Sequence, residues 1–342
     1  MHPGFVLILG ILVLLLAVFI FWPRTGLIAR WRRTSRYTLR ERMEDALKHL
    51  YDYEHKRLVS TGESMSGVLG ISRDETAELI TRLQTLGLIQ GKSGGVELTE
   101  EGRAYALRVI RVHRLWERYL ADTTGVAETD WHREAERMEH QVSSMEAEAL
   151  AAQMGNPRFD PHGDPIPTAG GDLPSRRGEP LVSLRVGDGA RVIHIEDEPT
   201  SVYAHLVSEG IAPGLTLRLI NSSPEGVRIG SGGKTIQLPH VVAANITVVP
   251  LAEEEIPEGS YEPLSAVAPG EEAQVVGISP ACRGVQRRRL LDLGIIPGTR
   301  IAALMKSAGG DPVAYEIRGA TIALRNSQAQ WIHVRRDEEK KQ

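Results

Sequence analysis

The order of apolar and polar positions divides the chain into three regimes. The first is "FVLILGILVLLLAVFIFW", Phe5 to Trp22, eighteen residues with no charge and no strong helix breaker. As a helix it would run about 27 Å, close to the roughly 30 Å hydrocarbon core of a bilayer, and it predicts one transmembrane anchor. The second regime, Met43 to about Met154, has apolar positions at helical spacing. Leu47, Leu50 and Tyr51 mark a first helix. A short helix, a turn at Gly70 to Ser72 and a further helix follow. Ser72 with Glu75 three residues later forms a capping box that starts this helix, and Ile80, Leu83 and Leu86 are expected to face a core. "IQGKSGGVELT" reads as two short strands around a glycine-rich tip, which completes the order of a winged helix-turn-helix. Two long helices are predicted next, Glu100 to about Asp122 and Thr129 to about Met154.

The third regime begins after "GNPRFDPHGDPIPTAGGDLPSRRGEP", Gly155 to Pro180, whose density of proline and glycine predicts linker and turn. Beyond it, runs such as "ARVIHI", "LTLRLI" and "NITVV" predict strands. This region is an internal repeat: "EGIAPG" at 209 returns as "LGIIPG" at 293, and the acidic "AEEEIPEGSYE" joins the copies. Each copy is about seventy residues of short strands with one helical turn before its G-I-x-P-G corner, which suggests a small SH3-like β-barrel. The fold class expected is multidomain α+β.

Charge changes this picture at the N-terminus. Residues 1 to 42 carry seven arginines against Glu41 alone, so the net charge of −4 leaves about −10 for the rest. Arg24, Arg30, Arg32, Arg33, Arg36, Arg40 and Arg42 all follow the apolar run, whereas a signal peptide has its charge before it. Trp22 and Trp31 suit interfacial positions. The positive-inside rule then predicts a single-pass protein of the cell membrane, with its C-terminal domains in the cytoplasm. Cys282 is the only cysteine, so an intrachain disulfide and a thiolate zinc knuckle are both excluded. No nucleophile-base motif such as G-x-S-x-G is present, and no enzyme is expected.

The candidate chemistry lies in "HREAERMEH", residues 132 to 140. On a helix His132, Glu136, Glu139 and His140 share about one face, and the preceding helix offers His113 and Glu117, again four apart. Imidazole and carboxylate without sulfur suit Mn(II), Fe(II) or Co(II) before Cu(I). A His/Glu-rich helix is more often a solvated face, but that reading does not easily account for two such helices in succession.

The stretch "LTEEGRAYALRVIRVHRLWERYL…HREAERMEH…GNPRFDPHGDPIP" resembles the diphtheria-toxin-repressor family of metal-dependent transcriptional regulators, from about Met43 to Pro167. The repeats, Leu181 to Val249 and Leu264 to Val334, resemble FeoA-like SH3 domains. The resemblance implies a homodimer in which a divalent metal drives winged helices onto double-stranded operator DNA. It implies one metal site at Asp45, Glu136, Glu139 and His140, and a second at His113, Glu117 and His132. Carboxylates at Asp45 and Glu136 follow the manganese-type pattern, while Lys48 departs from it, so Mn(II) and Fe(II) both remain open. His162 in "DPHGDPIP" is expected in a turn role. The domains expected are an anchor (1–24), a basic juxtamembrane segment (25–42), a winged helix-turn-helix (43–103), a metal-binding and dimerisation domain (104–167), a linker (168–180), a first FeoA-like domain (181–250), an acidic linker (251–262), a second FeoA-like domain (263–336) and a tail (337–342).

DNA contacts are expected from Arg73, Thr76, Thr81, Arg82 and Lys92. Residues 43 to 103 nevertheless hold seven Lys/Arg against eleven Asp/Glu, a poor electrostatic footprint for a duplex. A rival reading follows: a membrane-bound interaction protein that modulates an iron or manganese transporter through its FeoA-like domains without binding DNA. In either case residues 5–22 would contact membrane lipid.

Overall fold

A computed structural model describes residues 39–253 and 261–336. The predicted anchor, most of the basic segment, most of the acidic linker and the tail lie outside these residues. Among the described residues no helix is long and apolar enough to cross a membrane. The chain divides into two compact units between Ile110 and Arg111.

The first unit runs α1 (Leu39–His55), α2 (Gly62–Leu69), α3 (Arg73–Thr85), β1 (Ile89–Lys92), β2 (Gly95–Leu98) and the first turns of α4 (Glu100–Thr123). β1 and β2 form an antiparallel hairpin with Ile89 opposite Leu98. Leu47, Leu50, Met65, Leu79, Leu83, Ile89 and Leu98 make its core. The capping box at α3 is present: the Ser72 hydroxyl accepts from Glu75 N–H, and the Glu75 carboxylate accepts from Ser72 N–H. The inward face of α3 differs from the expected one. Leu79 and Leu83 are buried while Leu86, at the C-cap, is 55% exposed. By helical phase Leu86 would share the stripe of Leu79 and Leu83, but the helix ends at Thr85, and Leu86 is its C-cap just before the left-handed Gly87, where the chain turns away.

In the second unit the helix expected over residues 129–154 is two helices, α5 (Trp131–Glu139) and α6 (Ser144–Gln153). The break has a local cause. The Ser143 hydroxyl accepts from Glu146 N–H, and Glu146 accepts from Ser143 N–H and its hydroxyl, so a capping box restarts the helix. Val112, Leu115, Ala147, Ala151 and Ile166 form a small core here.

The first repeat contains β3 (Glu179–Pro180), β4 (Gly189–Ile195), α7 (Thr200–Ser208), β5 (Thr216–Ser223), β6 (Gly226–Ser231), β7 (Lys234–Leu238), α8 (His240–Ala243) and β8 (Ile246–Pro250). The second contains β9 (Glu262–Pro263), β10 (Glu272–Ile278), α9 (Gly284–Asp292), β11 (Arg300–Lys306), β12 (Val313–Ile317), β13 (Ala320–Leu324), α10 (Asn326–Ala329) and β14 (Ile332–Arg335). Each is a six-stranded antiparallel sheet, and the orders β3-β8-β4-β5-β6-β7 and β9-β14-β10-β11-β12-β13 correspond strand for strand. Register shifts also recur: one between Val192 and His194 returns between Val275 and Gly277, and one between Leu219 and Asn221 returns between Ala303 and Met305. The repeat in sequence is therefore a repeat in backbone, with the bends that curl each sheet placed alike. Separate cores fill the two copies, around Ile195, Leu206, Leu217 and Ile229 in the first and Leu290, Ile301, Tyr315 and Ile332 in the second.

Candidate metal centre

α4 carries His113 and Glu117 four residues apart, so both side chains leave one face of the helix, and both are buried. α5 brings His132 against them. His113 Nε2 lies 3.0 Å from Glu117 Oε1 and 3.2 Å from His132 Nδ1, and His132 Nδ1 is 3.3 Å from the same carboxylate oxygen. Three ligand atoms thus converge on one point. The grouping that the resemblance implied for His113, Glu117 and His132 is the grouping the fold brings together.

The other ring nitrogen of His113 faces a different acid. His113 Nδ1 is 2.5 Å from Glu139 Oε2, and Glu139 Oε1 is 3.5 Å from His140 Nε2. One imidazole therefore links the convergence point to the Glu139–His140 pair, and a buried carboxylate fixes its orientation in the way outer carboxylates hold ligand imidazoles. Glu136 is more peripheral, half-exposed with Oε1 3.5 Å from His132 Nε2. Asp45 stands on α1 in the first unit.

Two further side chains complete the site, and neither was assigned to it from the sequence. Asp197, in the loop between β4 and α7, places Oδ2 3.2 Å from His132 Nδ1. His162 is buried with Nδ1 3.6 Å from Glu117 Oε2 and 3.9 Å from Asp160 Oδ2. It does sit in a turn, as expected, but its ring points into the acidic cluster. Local chemistry sets the turn. Asp160 Oδ1 accepts the backbone N–H groups of His162 and Asp164, both at 2.8 Å, and His162 C=O accepts from Ile195 N–H of β4. Gly163 has φ +95°, and a Cβ there would come within 2.0 Å of the Ile193 carbonyl oxygen. Only glycine lets this turn lie so close to β4, and β4 in turn delivers Asp197.

The electrostatics follow from this packing. Burial opposes ionisation of Glu117, yet His113, His132 and His162 hold its carboxyl well below the usual range. Burial also opposes charge on His132, but Asp197, Glu117 and Glu136 push its pKa up to about 12. For His162, burial is again outweighed, by Asp160 and Glu117, and the ring is held well above the usual imidazole value. Without a cation the imidazoles carry the positive charge that buried carboxylates demand, and ligation requires them to give it up. Imidazole and carboxylate with no sulfur nearby fit Mn(II) or Fe(II). Cys282, the one thiol, is buried in the second repeat's core.

The candidate DNA-facing residues divide. Arg73, Thr81, Arg82 and Lys92 are on the surface, with Arg73 paired to Glu63 at 2.9 Å and Lys92 to Glu97 at 2.5 Å. Thr76 is not on the surface. It is buried, and its hydroxyl donates to the Ser72 carbonyl at 2.8 Å, so it belongs to the helix start and the core beneath it.

Residues 99–168 match the family model described as iron dependent repressor, metal binding and dimerisation domain, and residues 179–250 and 262–336 each match the FeoA domain. A solved manganese-dependent transcriptional repressor in complex with manganese is 31% identical, with a TM-score of 0.54 over 61% of this chain and 100% of that one. This chain belongs to the iron-dependent repressor family. Another relative, the iron-dependent repressor IdeR of Mycobacterium leprae, is 29% identical over 218 residues, 59% of this chain and 94% of its own length. As a member of the iron-dependent repressor family this chain also has a relative of a different kind. A probable metal transport system membrane protein of Chlamydia pneumoniae is 29% identical over 158 residues, 43% of this chain and 34% of that protein.

Proposed function

We propose that the chain is a metal-dependent transcriptional repressor of metal-homeostasis genes, loaded by Mn(II) or Fe(II), acting as a homodimer on double-stranded operator DNA. The observation that carries this reading is the convergence of His113 Nε2, His132 Nδ1 and Glu117 Oε1 in a family whose relatives are iron- and manganese-dependent repressors by name. On the resemblance, Asp45 with Glu136, Glu139 and His140 supplies a further set of ligands. On the sequence, Phe5 to Trp22 tethers the protein to the cell membrane with the remaining domains in the cytoplasm.

A second reading has its own support. The outward face of α3 carries Asp74 and Glu78 beside Arg73 and Arg82, Thr76 is turned inward, and one relative is named as a metal-transport membrane protein. On this reading the cation site and the FeoA domains modulate a transporter. Genome-wide DNA footprinting with the purified chain, with and without Mn(II) or Fe(II), separates the two. Metal-dependent footprints are expected for the repressor. Their absence, with metal binding intact, would refute the repressor reading and favour the transporter partner.

A further inference from the structure

Glu117 presents its two oxygens to two different sets of ligands. Oε1 faces His113 Nε2 at 3.0 Å and His132 Nδ1 at 3.3 Å, whereas Oε2 faces His162 Nδ1 at 3.6 Å. Ligand atoms of His113, Glu117 and His132 lie within 4.8 Å of one another, and so, separately, do those of Glu117, His162 and Asp197. A carboxylate shared between two such sets is the arrangement by which two-metal centres hold ions about 3.5–4 Å apart.

The imidazole of His162 is not needed for the turn it occupies. That turn is built from the Asp160 carboxylate, the conformation of Gly163, and the backbone N–H and C=O of His162. Its ring is nevertheless buried, edge-on to Tyr203 at 5.1 Å between centroids, with a nitrogen aimed at two carboxylates. A titratable ring in an apolar setting is costly unless it is paired. Charge points the same way. Glu117 and Asp197 are held below the usual carboxylate range despite their burial, and imidazoles that ligate a cation are neutral. Cations at this corner would supply the positive charge that the imidazoles give up.

We propose that Glu117 is a bridging carboxylate and that Glu117, His162 and Asp197 form a second divalent-cation position beside the one at His113 and His132. This rests on the metal-binding reading above and extends it to a paired site, whose second half is completed only when the first FeoA domain supplies Asp197. Loading of the second position would hold the turn at residues 160–163 and the loop after β4 to α4.

The test is a Mn(II) titration of the full chain in detergent micelles, counting bound ions from the free-ion EPR signal and recording the bound spectrum at low temperature. Wild type is expected to show an exchange-coupled Mn(II) pair. Asp197→Asn and His162→Gln are each expected to bind one ion fewer per chain and to lose the coupled signal, while His132→Ala also loses the coupling. Asp197→Asn keeps the size of a partly exposed side chain, so it stays informative if His162→Gln fails to fold. Unchanged stoichiometry in Asp197→Asn with only weakened affinity would overturn the proposal in favour of a single ion that takes Asp197 as an extra ligand. Titrations indifferent to His132→Ala would instead remove the metal-binding reading at this site, and the paired position with it.

Discussion

His162→Gln in the metal-free protein is expected to flatten the dependence of stability on alkaline pH. The folded-state pKa of His162 is raised well above 6.5, because the Glu117 and Asp160 carboxylates outweigh burial. The acids around its ring are Glu117, Asp160, Asp197 and Glu128, beside the rings of Trp131 and Tyr203. A raised imidazole contributes stability that is fully present below the unfolded value and is lost as pH climbs toward the folded one. Above pH 6.5 the folded protein keeps a proton that the unfolded chain releases, and the slope approaches about −1.4 kcal/mol per pH unit for one such group. The loss continues through pH 6.5 to 8.5 for as long as the folded protein holds the proton that the unfolded chain has released. The assay is urea unfolding with chelator at pH 6.5, 7.5 and 8.5, followed by tryptophan fluorescence, for which buried Trp131, with its ring centroid 6.1 Å from His162, is a local reporter. Wild type should lose stability over this range and His162→Gln should lose less, by no more than the limiting slope of about 1.4 kcal/mol per pH unit. Equal slopes in the two proteins would refute the account of His162 as a buried, charged imidazole.

Four other outcomes are expected. Glu117→Gln, which removes the one carboxylate common to both ligand sets, should weaken Mn(II) binding by two or more orders of magnitude in calorimetry, about 3 kcal/mol or more by loss of a charged ligand; unchanged affinity would contradict the site. Gly163→Ala places a Cβ 2.0 Å from the Ile193 carbonyl oxygen at φ +95°, and should destabilise the second unit by about 2–4 kcal/mol in thermal unfolding, with faster proteolysis near the 160–163 turn. Thr76→Val should cost about 1 kcal/mol in stability through the lost Ser72 bond while leaving operator affinity in a gel-shift assay unchanged, whereas Arg82→Ala should weaken that affinity and lower its salt dependence.

Much of the site was legible because its signals are local. His113 with Glu117, four apart on one helix, fixes two ligands on one face whatever surrounds them, and the run from His132 to His140 does the same for the next helix. Ser143 with Glu146 is also a local signal, a capping box that breaks the expected long helix in two. That break is what lets α5 end near Glu139 while His132 stays against α4. The paired FeoA repeats were visible as recurring G-I-x-P-G corners, and both sheets have the matching strand order.

The remaining residues carry no local signal. Asp197 is one acid in "EDEPT", 65 residues from His132, and nothing in that string separates it from Glu196 or Glu198. It becomes a neighbour of His132 only because Gly163 allows the 160–163 turn to seat against β4. The fate of Thr76 was decided in the same way: a threonine near a helix start reads as exposed until the fold buries the helix face that it shares with Leu79 and Leu83. Periodicity, capping and repeated corners depend on interactions within a few residues, and the sequence by itself determined them. Which nitrogen of His113 faces which acid, and which repeat reaches the cation site, depends on close approach between segments far apart in the chain. Only the tertiary structure decided those, because such contacts are selected by the packing of whole surfaces and leave no pattern in any one stretch of residues.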